Sequence, residues 1–564
     1  MKSKWLVYAK KADFKAIEQK YGIDQVIARI MRNRDVCTDE EMQMYLNGSI
    51  DGLHAPELLK DAQKAVDILT EKIAQHKKIR IIGDYDIDGI CSITILYKAL
   101  KKAGADVDYV VPHRITDGYG INEHLIDNAA AEGKDTILTC DNGIAAIPQI
   151  QYAKEHGLTV IVTDHHDIPF TEENGEKKLL TSCADAIVDP KQPDCAYPFD
   201  KICGAVVAYK VMRILYEKLG LDKTDFKEYT ELAAIATVGD VVDLKDENRV
   251  IVRQGLAWIA TTKNTGLRAL IEACELDAAY LSAYHIGFII GPCLNASGRL
   301  DTAQRAIELL LCTETGKAHE MAQELRELNE ERKNMTDTEA KKAIEMVEGT
   351  DLYEDNVLVV YLPECHESVA GIIAGRLREH FYKPSIVITD AADGAKGSGR
   401  SIEEITKCKE LLTKFGGHPM AAGLSLPTEN IDLFRAKLNR QQTLTEKELT
   451  PVTWIDVPMP VSYASKKLVE QLRVLEPFGK GNEKPVFADR KLTVRSANMI
   501  GKNKNVLKMQ LEDTQGHVVD AIQFKVEEED MPLRGKEISI VYYPDINEFR
   551  GNQTLQFIVQ EWCY

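Results

Sequence analysis

Short runs of β-branched residues alternate with longer amphipathic segments from about residue 76 onward. Five of these runs have the length and composition of buried strands: KKIRII, DVDYVV, DTILTC, LTVIVT and ADAIV. Strands that alternate with helical segments favour a mostly parallel, doubly wound sheet. A helical stretch then extends from FKEYTELAAIATVGD to about residue 310.

The pattern changes twice more along the chain. Residues 315–349 are rich in Glu, Lys, Arg and Ala, which is typical of long solvated connecting helices. The run NVLVVYL opens a second α/β unit, and after about residue 480 a period of two predicts a small β-barrel or sandwich. The predicted fold class is therefore α/β, with a doubly wound parallel sheet, long helices, a second α/β domain and a C-terminal OB-like β-barrel. The predicted boundaries are 1–75 for an N-terminal helical region, then 76–314, 315–349, 350–445 and 446–564.

Composition and charge exclude several classes of protein. With 564 residues, of which 44% are hydrophobic and 28% charged, the chain is ordinary for a globular protein of several domains. Its twelve cysteines form no C-x-x-C pair, so a reduced cytoplasmic protein without a zinc ribbon or disulfide framework is expected. No run approaches the roughly 20 apolar residues of a membrane span. A formal charge of -18 argues against a protein that coats nucleic acid with its whole surface.

The segment GDYDIDGICS begins like an EF-hand calcium loop, with Asp84, Asp86 and Asp88 at alternate positions before a glycine. An EF-hand needs a glutamate at the twelfth position of the loop, which here is Ile95. It also needs a preceding helix, whereas a strand is predicted here. A strand, a carboxylate loop and a helix form an α/β arrangement, in which sites lie at the carboxyl ends of strands.

Polar residues with metal-ligand chemistry follow three of the predicted strands. They are Asp84, Asp86 and Asp88 after the first, Asp141, Asn142 and Gly143 after the third, and Asp164, His165 and His166 after the fourth. Each group alone is typical of a turn, but together at one sheet edge they would repel one another without cations. Carboxylates with one or two imidazoles suit Mn²⁺ or Mg²⁺. Two such ions about 3.5–4 Å apart can stabilise attacking and leaving oxygens, so the hypothesis is metal-assisted phosphoester cleavage.

Several segments occur in the order of a known family's motifs. DYDIDG, CDNG, TDHH and TVGD resemble the four motifs of the DHH phosphoesterase superfamily. Further on, GPCLNASGRLDTA, CHESVAGIIAGRLREHFYKPSIVI, GSGRS and GGHPMAAG resemble its bacterial single-strand-specific exonucleases, including their DHHA1 domain. The resemblance implies that 76–314 is a DHH domain, 350–445 a DHHA1 domain and 446–564 an OB-like nucleic-acid-binding domain.

The resemblance also implies a ligand set and a set of reacting groups. The metal positions, for two ions of Mn²⁺ or Mg²⁺, are Asp84, Asp86, Asp88, Asp141, His165 and Asp240. The catalytic positions are Asp86, Asp88, Asp141, His165 and His166, the last of these near the substrate or behind the ligands. Asp164 is a candidate for orienting an imidazole. Asp243, three residues after Asp240, is a competing ligand candidate.

Substrate-binding positions are implied in the same way. They are Arg114, Asn295, Arg299, Ser398, Arg400 and His418. Arg114, Ser398 and Arg400 resemble residues that hold a terminal 5′ phosphate, for which the planar arginine fork is well suited. Asn295 and Arg299 resemble groups that reach the scissile region or nearby backbone. From residue types alone, a surface arginine beside a turn is the favoured explanation of Arg114.

The predicted C-terminal barrel carries a basic stripe. Residues 486–509 contain six lysines and arginines against one aspartate. An OB-like fold with such a stripe would bind single strands through phosphate contacts and base stacking, with Phe487 and Tyr542 as candidate platforms. A solvated hairpin is the alternative.

The resulting hypothesis is a metal-dependent 5′ to 3′ exonuclease that hydrolyses single-stranded DNA to 5′ mononucleotides in DNA recombination and repair. The rivals are a nanoRNase or cyclic-dinucleotide phosphodiesterase of the same superfamily, and a catalytically inactive scaffold of a replication complex. The extra C-terminal domain favours a polymeric substrate, and the complete set of Asp and His ligands argues against the scaffold. The resemblance further implies a monomer that acts with a single-strand-binding protein and a RecQ-type helicase and does not bind membranes.

Overall fold

The chain forms two compact units. The structure is a computed structural model that describes residues 3–114, 117–173, 176–391, 394–401, 408, 410–418, 420–502, 504–549 and 551–564. The first unit contains His54–Asp240 and Gly255–Pro451, and the second contains Ser3–Leu53, Val241–Gln254 and Val452–Tyr564.

The first unit contains a sheet of five parallel strands, each of which the sequence predicts. In spatial order the strands are Asp106–Val110, Lys78–Ile82, Thr136–Cys140, Thr159–Thr163 and Ala186–Val188. Lys78–Ile82 comes first in the sequence but lies between the next two strands, pairing with Asp106–Val110 on one side and with Thr136–Cys140 on the other. The strand order therefore reverses at Lys78–Ile82. Such a reversal opens a crevice at the carboxyl ends of the strands. The loops that follow Lys78–Ile82 and Thr136–Cys140 begin at this crevice.

Helices connect and follow these strands. As far as residue 311 they are Ala62–Ala74, Ile87–Lys102, Glu123–Ala131, Ile147–Glu155, Gly204–Leu219, Phe226–Gly239, Asp246–Ile259, Thr265–Ala273, Ala283–His285, Gly291–Leu300 and Gln304–Leu311, with a π-helical turn at Ile286–Ile290. The helix Ile87–Lys102 begins four residues before the predicted CSITILYKALKKAG segment because Asp86 caps it. A short hairpin, Phe170–Glu173 with Glu176–Leu179, lies outside the predicted elements. Across the described residues, we find no helix with the length and apolarity needed to cross a bilayer.

A single helix of 34 residues, Thr315–Glu348, occupies the predicted connecting segment and leads to a second sheet. The strands of this sheet are, in spatial order, Lys414–His418, Ala421–Leu426, Gly394–Arg400, Ser385–Ala391 and Leu358–Tyr361. The last two run parallel and the other neighbouring pairs are antiparallel. Helix Glu367–Phe381 packs Val369 and Ile373 into one core cluster with Val387 of the sheet. Helix Ile431–Gln441 contributes Phe434 to a separate cluster.

The second unit contains a closed ring of strands, and the predicted fold class is confirmed. The strands of the second unit are Lys4–Val7, Val452–Ile455, Val457–Pro458, Phe487–Ile500, Val506–Glu512, Val518–Phe524, Glu537–Phe549 and Asn552–Cys563, of which the first two form a separate two-stranded sheet. Its remaining helices are Phe14–Tyr21, Gln25–Asn33, Asp39–Asn47 and Lys466–Leu472. The ring closes because Phe487–Ile500 pairs with both Val506–Glu512 and Glu537–Phe549.

Two expectations, one for the N-terminal and one for the C-terminal part of the chain, are wrong. The first 75 residues are not wholly helical, because Lys4–Val7 pairs in parallel with Val452–Ile455. Four residues are too few to show an alternating pattern. Phe487 and Tyr542 are both 0% exposed, and the Tyr542 hydroxyl donates to the Met459 carbonyl at 2.8 Å. Both aromatic side chains lie in the hydrophobic core that the closed sheet encloses, so they cannot serve as stacking platforms for bases.

Candidate metal and phosphate site

The acidic loop after strand Lys78–Ile82 is shaped by two of its own residues. Asp86 Oδ1 accepts hydrogen bonds from the backbone amides of Asp88 at 2.9 Å and Gly89 at 3.2 Å. A Cβ added at Gly89 would collide with the carbonyl oxygen of Asp84, so the turn requires glycine here. The side chains of Asp84 and Asp88 are buried, and that of Asp86 is partly exposed.

Asp88 is held by the start of another helix. Its Oδ2 accepts from the amide of Gly204 at 2.6 Å and its Oδ1 from that of Ala205 at 2.8 Å, at the N-terminus of helix Gly204–Leu219. The partial positive charge of a helix N-terminus favours a carboxylate at this place. A Cβ at Gly204 would lie 2.8 Å from Asp141 Cβ and 3.1 Å from Asp88 Oδ2. Gly204 is absent from the predicted site because a glycine before an apolar helix carries no chemical signal.

Asp141 adopts a backbone conformation that non-glycine residues rarely show. Its φ is +58°, in the left-handed region, and such residues concentrate at functional sites. The neighbouring Asn142 holds this turn in place. Its side-chain amide donates to the carbonyls of Ile82 at 3.1 Å and Cys140 at 2.9 Å. Asn142 therefore links the ends of two adjacent strands, and the Asp141 carboxylate is left to the crevice.

The two histidines that follow strand Thr159–Thr163 have different surroundings. His165 Nε2 lies 3.1 Å from Asp141 Oδ1, 3.5 Å from Asp88 Oδ2 and 3.8 Å from Asp240 Oδ2. Burial lowers the pKa of His165, which favours the neutral imidazole that metal ligation requires.

His166 is bound by the carboxylate of Asp164. Its Nδ1 lies 2.7 Å from Asp164 Oδ1, and the other oxygen of Asp164 accepts from the amide of Ile144 at 2.8 Å. Burial opposes the charged imidazole, but the hydrogen bond and charge of Asp164 outweigh it and raise the pKa of His166 to about 9. Asp164 thus contacts the imidazole that it was expected to orient.

Asp240 and Asp243, the two alternative candidates for one metal ligand, belong to different units. Asp240 directly follows helix Phe226–Gly239 and belongs to the first unit, with its Oδ2 facing His165. Asp243 belongs to the second unit, where its Oδ1 lies 3.8 Å from Lys480 Nζ. This geometry favours Asp240 as the ligand.

Burial and mutual repulsion raise the pKa values of the clustered carboxyl groups. Burial, and then the charge of Asp86, raises the pKa of Asp88 to about 6. Burial, and then the charge of Asp88, raises that of Asp240 to about 7. The pKa values of Asp84 and Asp141 are raised well above the usual range, again by burial first and neighbouring carboxylates second. Without a counter-charge the ionised cluster is unfavourable, as expected of a cation site.

The ligand atoms fall into three sets that could each hold a cation. Within each set they lie within 4.8 Å of one another, and the sets are Asp84, Asp86 and Asp141, then Asp88, His165 and Asp240, and finally Asp141, His165 and His166. Oδ1 of Asp84 is buried, and within the described residues it has no hydrogen-bond partner. A buried oxygen of this kind needs a ligand. The combination of carboxylate oxygens and imidazole nitrogen fits Mn²⁺ or Mg²⁺.

A basic cleft of 540 Å³ lies beside the acidic loop. Tyr85, which separates Asp84 from Asp86 in the sequence, lines it. The basic residues that line it are Arg114, Arg299, Lys396, Arg400 and Lys414. Ser398 and one acidic residue, Glu367, are also present. An excess of cations beside a metal cluster is suited to a phosphate group.

Arg400 and Ser398 are fixed on the same strand, Gly394–Arg400. Arg400 Nη1 donates to Ser398 Oγ at 3.2 Å and to the Gly399 carbonyl at 2.8 Å. A Cβ at Gly371 would lie 2.7 Å from both Arg400 Nη2 and Ser398 Oγ, so glycine leaves room for the two side chains. Burial lowers the pKa of Arg400, with the charges of Arg378 and Arg114 acting in the same direction. An anion in the cleft would relieve this repulsion.

Arg299 and Arg114 complete the cleft from the side of the first sheet. Arg299 Nη1 donates to the Ser368 carbonyl at 2.8 Å, and burial lowers its pKa to about 10. The guanidinium carbon of Arg114 lies 4.8 Å from the centre of the Tyr85 ring. Tyr85 is therefore a support for Arg114 that sequence reasoning missed, although its place between two predicted ligands was a usable signal.

Two predicted substrate residues are not among the described side chains that line the cleft. Asn295 is half-buried one turn before Arg299 on helix Gly291–Leu300, and it is not among the described residues that line the cleft. His418 ends strand Lys414–His418, but its side chain lies outside the described part of the chain. The expected roles of both residues stay predictions.

Tyr119 is a further residue of the site that the sequence did not indicate. Its hydroxyl donates to the Asp141 carbonyl at 2.9 Å, and it lies 3.2 Å from His166 Nε2. Desolvation of the hydroxyl, and then the charge of Asp141, raises the pKa of this phenol, so it stays protonated. The ring is 53% exposed and contributes a flat surface beside the cluster.

Three family models match the chain in succession. The model of the DHH family, N-terminal domain, matches residues 78–237, that of the DHHA1 domain matches 354–443, and that of the RecJ OB domain matches 455–561. These ranges contain the acidic cluster, the cleft strand with Ser398 and Arg400, and the closed ring of strands.

Individual relatives resemble the chain over nearly its whole length. The single-stranded-DNA-specific exonuclease RecJ of Bacillus subtilis is 35% identical, over 99% of this chain and 71% of that protein. The crystal structure of RecJ from Thermus thermophilus in complex with Mn²⁺ superposes with a TM-score of 0.83 and 26% identity, over 99% of this chain and 79% of that one. The Mg²⁺ complex from the same organism gives 0.77 and 25%, over 99% and 78%. The chain belongs to the RecJ family of single-stranded-DNA-specific exonucleases.

Proposed function

We propose that this protein is a metal-dependent exonuclease that removes 5′ mononucleotides from single-stranded DNA in the 5′ to 3′ direction. The observation that carries the proposal is the position of the basic cleft, which meets the carboxylate and imidazole cluster at Tyr85. A terminal phosphate bound in the cleft leaves the next phosphodiester of the strand at the cluster. Cleavage there releases one nucleotide.

The first task of the protein is to hold the terminal phosphate. Arg400, Ser398 and Arg114 supply guanidinium and hydroxyl donors, and Arg299 is anchored to the Ser368 carbonyl so that its charge stays in the cleft. A fixed end determines where the chain is cut, because the scissile phosphorus must lie a set distance from the bound phosphate.

The second task is to hold two divalent cations, Mn²⁺ or Mg²⁺. We assign the ligands Asp84, Asp86, Asp88, Asp141, His165 and Asp240 to them. When bound, such ions activate water and stabilise the charge that develops on the scissile phosphate. The chain itself keeps His165 neutral by burial, and keeps Asp88 in place with the amides of Gly204 and Ala205.

His166 has a separate role in this proposal. It is partly exposed beside the cluster, and although burial opposes the charged imidazole, the hydrogen bond and charge of Asp164 raise its pKa. It can therefore donate a hydrogen bond to an oxygen of the scissile phosphate, while Asp164 holds the ring in position. The second ring nitrogen also lies near the Tyr119 hydroxyl, which further restricts the ring.

The closed β-sheet of the second unit supplies a second contact for the single-stranded DNA. All six lysines and arginines of the basic stripe are exposed: Arg490, Lys491, Arg495, Lys502, Lys504 and Lys508. Exposed cations of this density bind the backbone of single strands without sequence preference. The stripe thus favours a polymer over a dinucleotide.

One assay tests the proposal. A 30-mer single strand, labelled either at its 5′ or its 3′ end, is incubated with the protein and Mn²⁺. The 5′ label should be released at once as mononucleotide, whereas the 3′-labelled strand should shorten in a ladder. Release of the 3′ label first, preference for dimers over the 30-mer, or no cleavage would reject the exonuclease proposal in favour of another polarity, a short-substrate enzyme or an inactive scaffold.

We also propose that the protein acts in the cytoplasm, in recombination and repair, with a single-strand-binding protein and a RecQ-type helicase, and as a monomer. A helicase would supply the single strands that the cleft accepts. Light scattering of the purified protein tests the monomer, and co-sedimentation with either partner tests the associations.

A further inference from the structure

A pair of exposed aromatic rings, which has no role in the proposed reaction, lies on a helical segment of the first unit. Tyr284 and Phe288 are 62% and 70% exposed, although large apolar rings are usually buried. Their ring centres lie 4.8 Å apart with an angle of 26° between the planes, so they are stacked. Tyr280, which is 79% exposed, precedes them in the sequence. Exposed apolar patches of this kind mark binding surfaces.

These rings are at one end of a continuous helical segment, and the phosphate cleft is at the other end. Ala283–His285, the π-helical turn Ile286–Ile290 and Gly291–Leu300 follow one another without a break. Arg299, near the last residue of this segment, lines the cleft. The segment therefore connects the exposed rings directly to the proposed site.

Three glycines of this segment lie against parts of the proposed site, and their neighbours show which part the segment passes at each position. A Cβ at Gly298 would collide with the carbonyl oxygen of Tyr85, which lines the cleft. A Cβ at Gly291 would lie 3.0 Å from Cδ1 of Ile87, which follows the ligand Asp86. A Cβ at Gly287 would lie 3.5 Å from Cγ1 of Val238, two residues before the ligand Asp240.

The segment thus passes, from its C-terminal to its N-terminal end, the phosphate cleft, the metal loop and the end of the helix that carries Asp240. Under the proposed function, a strand held in the cleft by its 5′ phosphate would have its scissile bond at the metal loop, and its 3′ portion would run on toward the end of the segment with Phe288 and Tyr284.

We propose that the stacked rings of Tyr284 and Phe288 form a platform for bases of the single strand on the 3′ side of the scissile bond. The inference rests on the proposed function, because it needs a strand in the cleft. A flat aromatic surface suits this occupant, since every base has a face that can stack and no sequence preference results. The apolar rings would hold bases, whereas the arginines of the cleft hold phosphates.

The length of the segment predicts how long a strand must be to reach the platform. Phe288 and Arg299 are eleven residues apart, which is about 16 Å at roughly 1.5 Å per helical residue. Stacked nucleotides rise about 3.4 Å each. The platform should therefore contact bases near the fifth nucleotide from the 5′ end, and shorter strands should not benefit from it.

The test compares substrates of increasing length. 5′-Phosphorylated strands of 2 to 12 nucleotides are cleaved in Mn²⁺ by the wild type and by a Tyr284→Ala/Phe288→Ala variant. Losing one stacked base weakens binding by about 5- to 150-fold, so the variant should show a KM raised at least fivefold for the 12-mer. KM and kcat for the dimer and trimer should be unchanged.

Two further variants separate stacking from folding. Tyr284→Phe/Phe288→Tyr keeps both rings and should behave as the wild type. Tyr353→Ala removes a 54% exposed aromatic side chain that follows helix Thr315–Glu348 in the sequence. This control should leave KM and kcat unchanged at every substrate length. A strand with 2-aminopurine at each position in turn should show quenched fluorescence near position five, and the quenching should be lost in the double alanine variant.

Several outcomes would overturn the platform without affecting the proposed function. One is a wild-type enzyme that digests single strands while the double variant keeps the same KM at every length. Another is an equal loss on the dimer and the 12-mer, which would indicate a structural role. A third is light scattering that shows a dimer in the wild type and a monomer in the variant, which would make the rings a contact between copies of this chain. Failure of the wild type to digest single strands would instead reject the proposed function itself.

Discussion

Oδ1 of Asp164 lies 2.7 Å from Nδ1 of His166, so the second of the two adjacent histidines is held by a carboxylate that is not itself among the proposed ligands. The substitution Asp164→Asn keeps the size of the side chain but removes the charge. Groups that orient active-site imidazoles typically change activity or metal affinity by about 10- to 100-fold when replaced. We expect kcat to fall within this range while the circular dichroism spectrum is unchanged. A kcat within a factor of two of the wild type would show that His166 needs no such partner.

Gly204 should be irreplaceable because it lies against two of the proposed ligands. The substitution Gly204→Ala places a methyl group 2.8 Å from Asp141 Cβ and 3.1 Å from Asp88 Oδ2. Overpacking of this kind costs about 1–3 kcal/mol of stability, and displacement of the ligands should reduce nucleotide release at least tenfold. Denaturant unfolding and a release assay measure the two effects.

Gly316 offers a matched control for this substitution. It also lies in the first turn of a helix, Thr315–Glu348, but a Cβ there meets nothing within 4 Å. Gly316→Ala should therefore keep full activity and equal or higher stability. If both alanine variants behave alike, the close packing of Gly204 against the ligands has no consequence.

The basic cleft should distinguish phosphorylated from unphosphorylated 5′ ends. Arg400→Ala removes a guanidinium that lines the cleft, so the preference for a 5′ phosphate over a 5′ hydroxyl should fall by about 10- to 100-fold, as expected for a lost charge-assisted contact. Competition between the two strands in one reaction measures this ratio. Arg440→Ala, an exposed arginine of the same domain, is the control and should leave the ratio unchanged. An unchanged ratio in Arg400→Ala would place the phosphate elsewhere.

Divalent cations should stabilise the folded protein. The crowded carboxyl groups repel one another in the absence of cations, which is why burial and neighbouring charges raise the pKa values of Asp88 and Asp240. Mn²⁺ at about 100 times its Kd should add roughly 2.7 kcal/mol to the free energy of unfolding of the chelator-treated protein. Thermal unfolding with and without Mn²⁺ measures the gain. The gain should shrink in Asp141→Asn, and an equal gain in that variant would contradict the assigned ligands.

Much of the fold and of the candidate site follows from local sequence signals. The five strands of the first sheet were predictable because each is a short β-branched run that ends at a polar loop. The convergence of Asp84, Asp141 and His165 followed from one rule, since parallel strands present their carboxyl ends at one edge. Asp240 needed the family resemblance, because a helix-end aspartate has no distinctive pattern.

The remaining features depend on packing that one sequence does not reveal. Gly204 matters because it has no side chain to clash with the ligands and because its backbone amide binds Asp88. Neither property is visible as a sequence motif. Phe487 and Tyr542 were misjudged because alternation predicts that one face of a strand is buried but does not say which. Tyr284 and Phe288 could only be singled out once their exposure was known, since apolar residues at helical spacing usually belong to a core.

The most decisive measurement counts Mn²⁺ ions and released nucleotides in parallel. Electron paramagnetic resonance of free Mn²⁺ gives the number bound per chain, and a 5′-labelled strand gives the rate of release, for the wild type and for Asp88→Ala and His165→Ala. We predict two ions and rapid release for the wild type, and fewer than two ions with release reduced at least a thousandfold for both variants, which should stay folded by circular dichroism. Two bound ions and wild-type release in a folded His165→Ala variant would contradict the assignment of this cluster as the metal site that cuts single-stranded DNA.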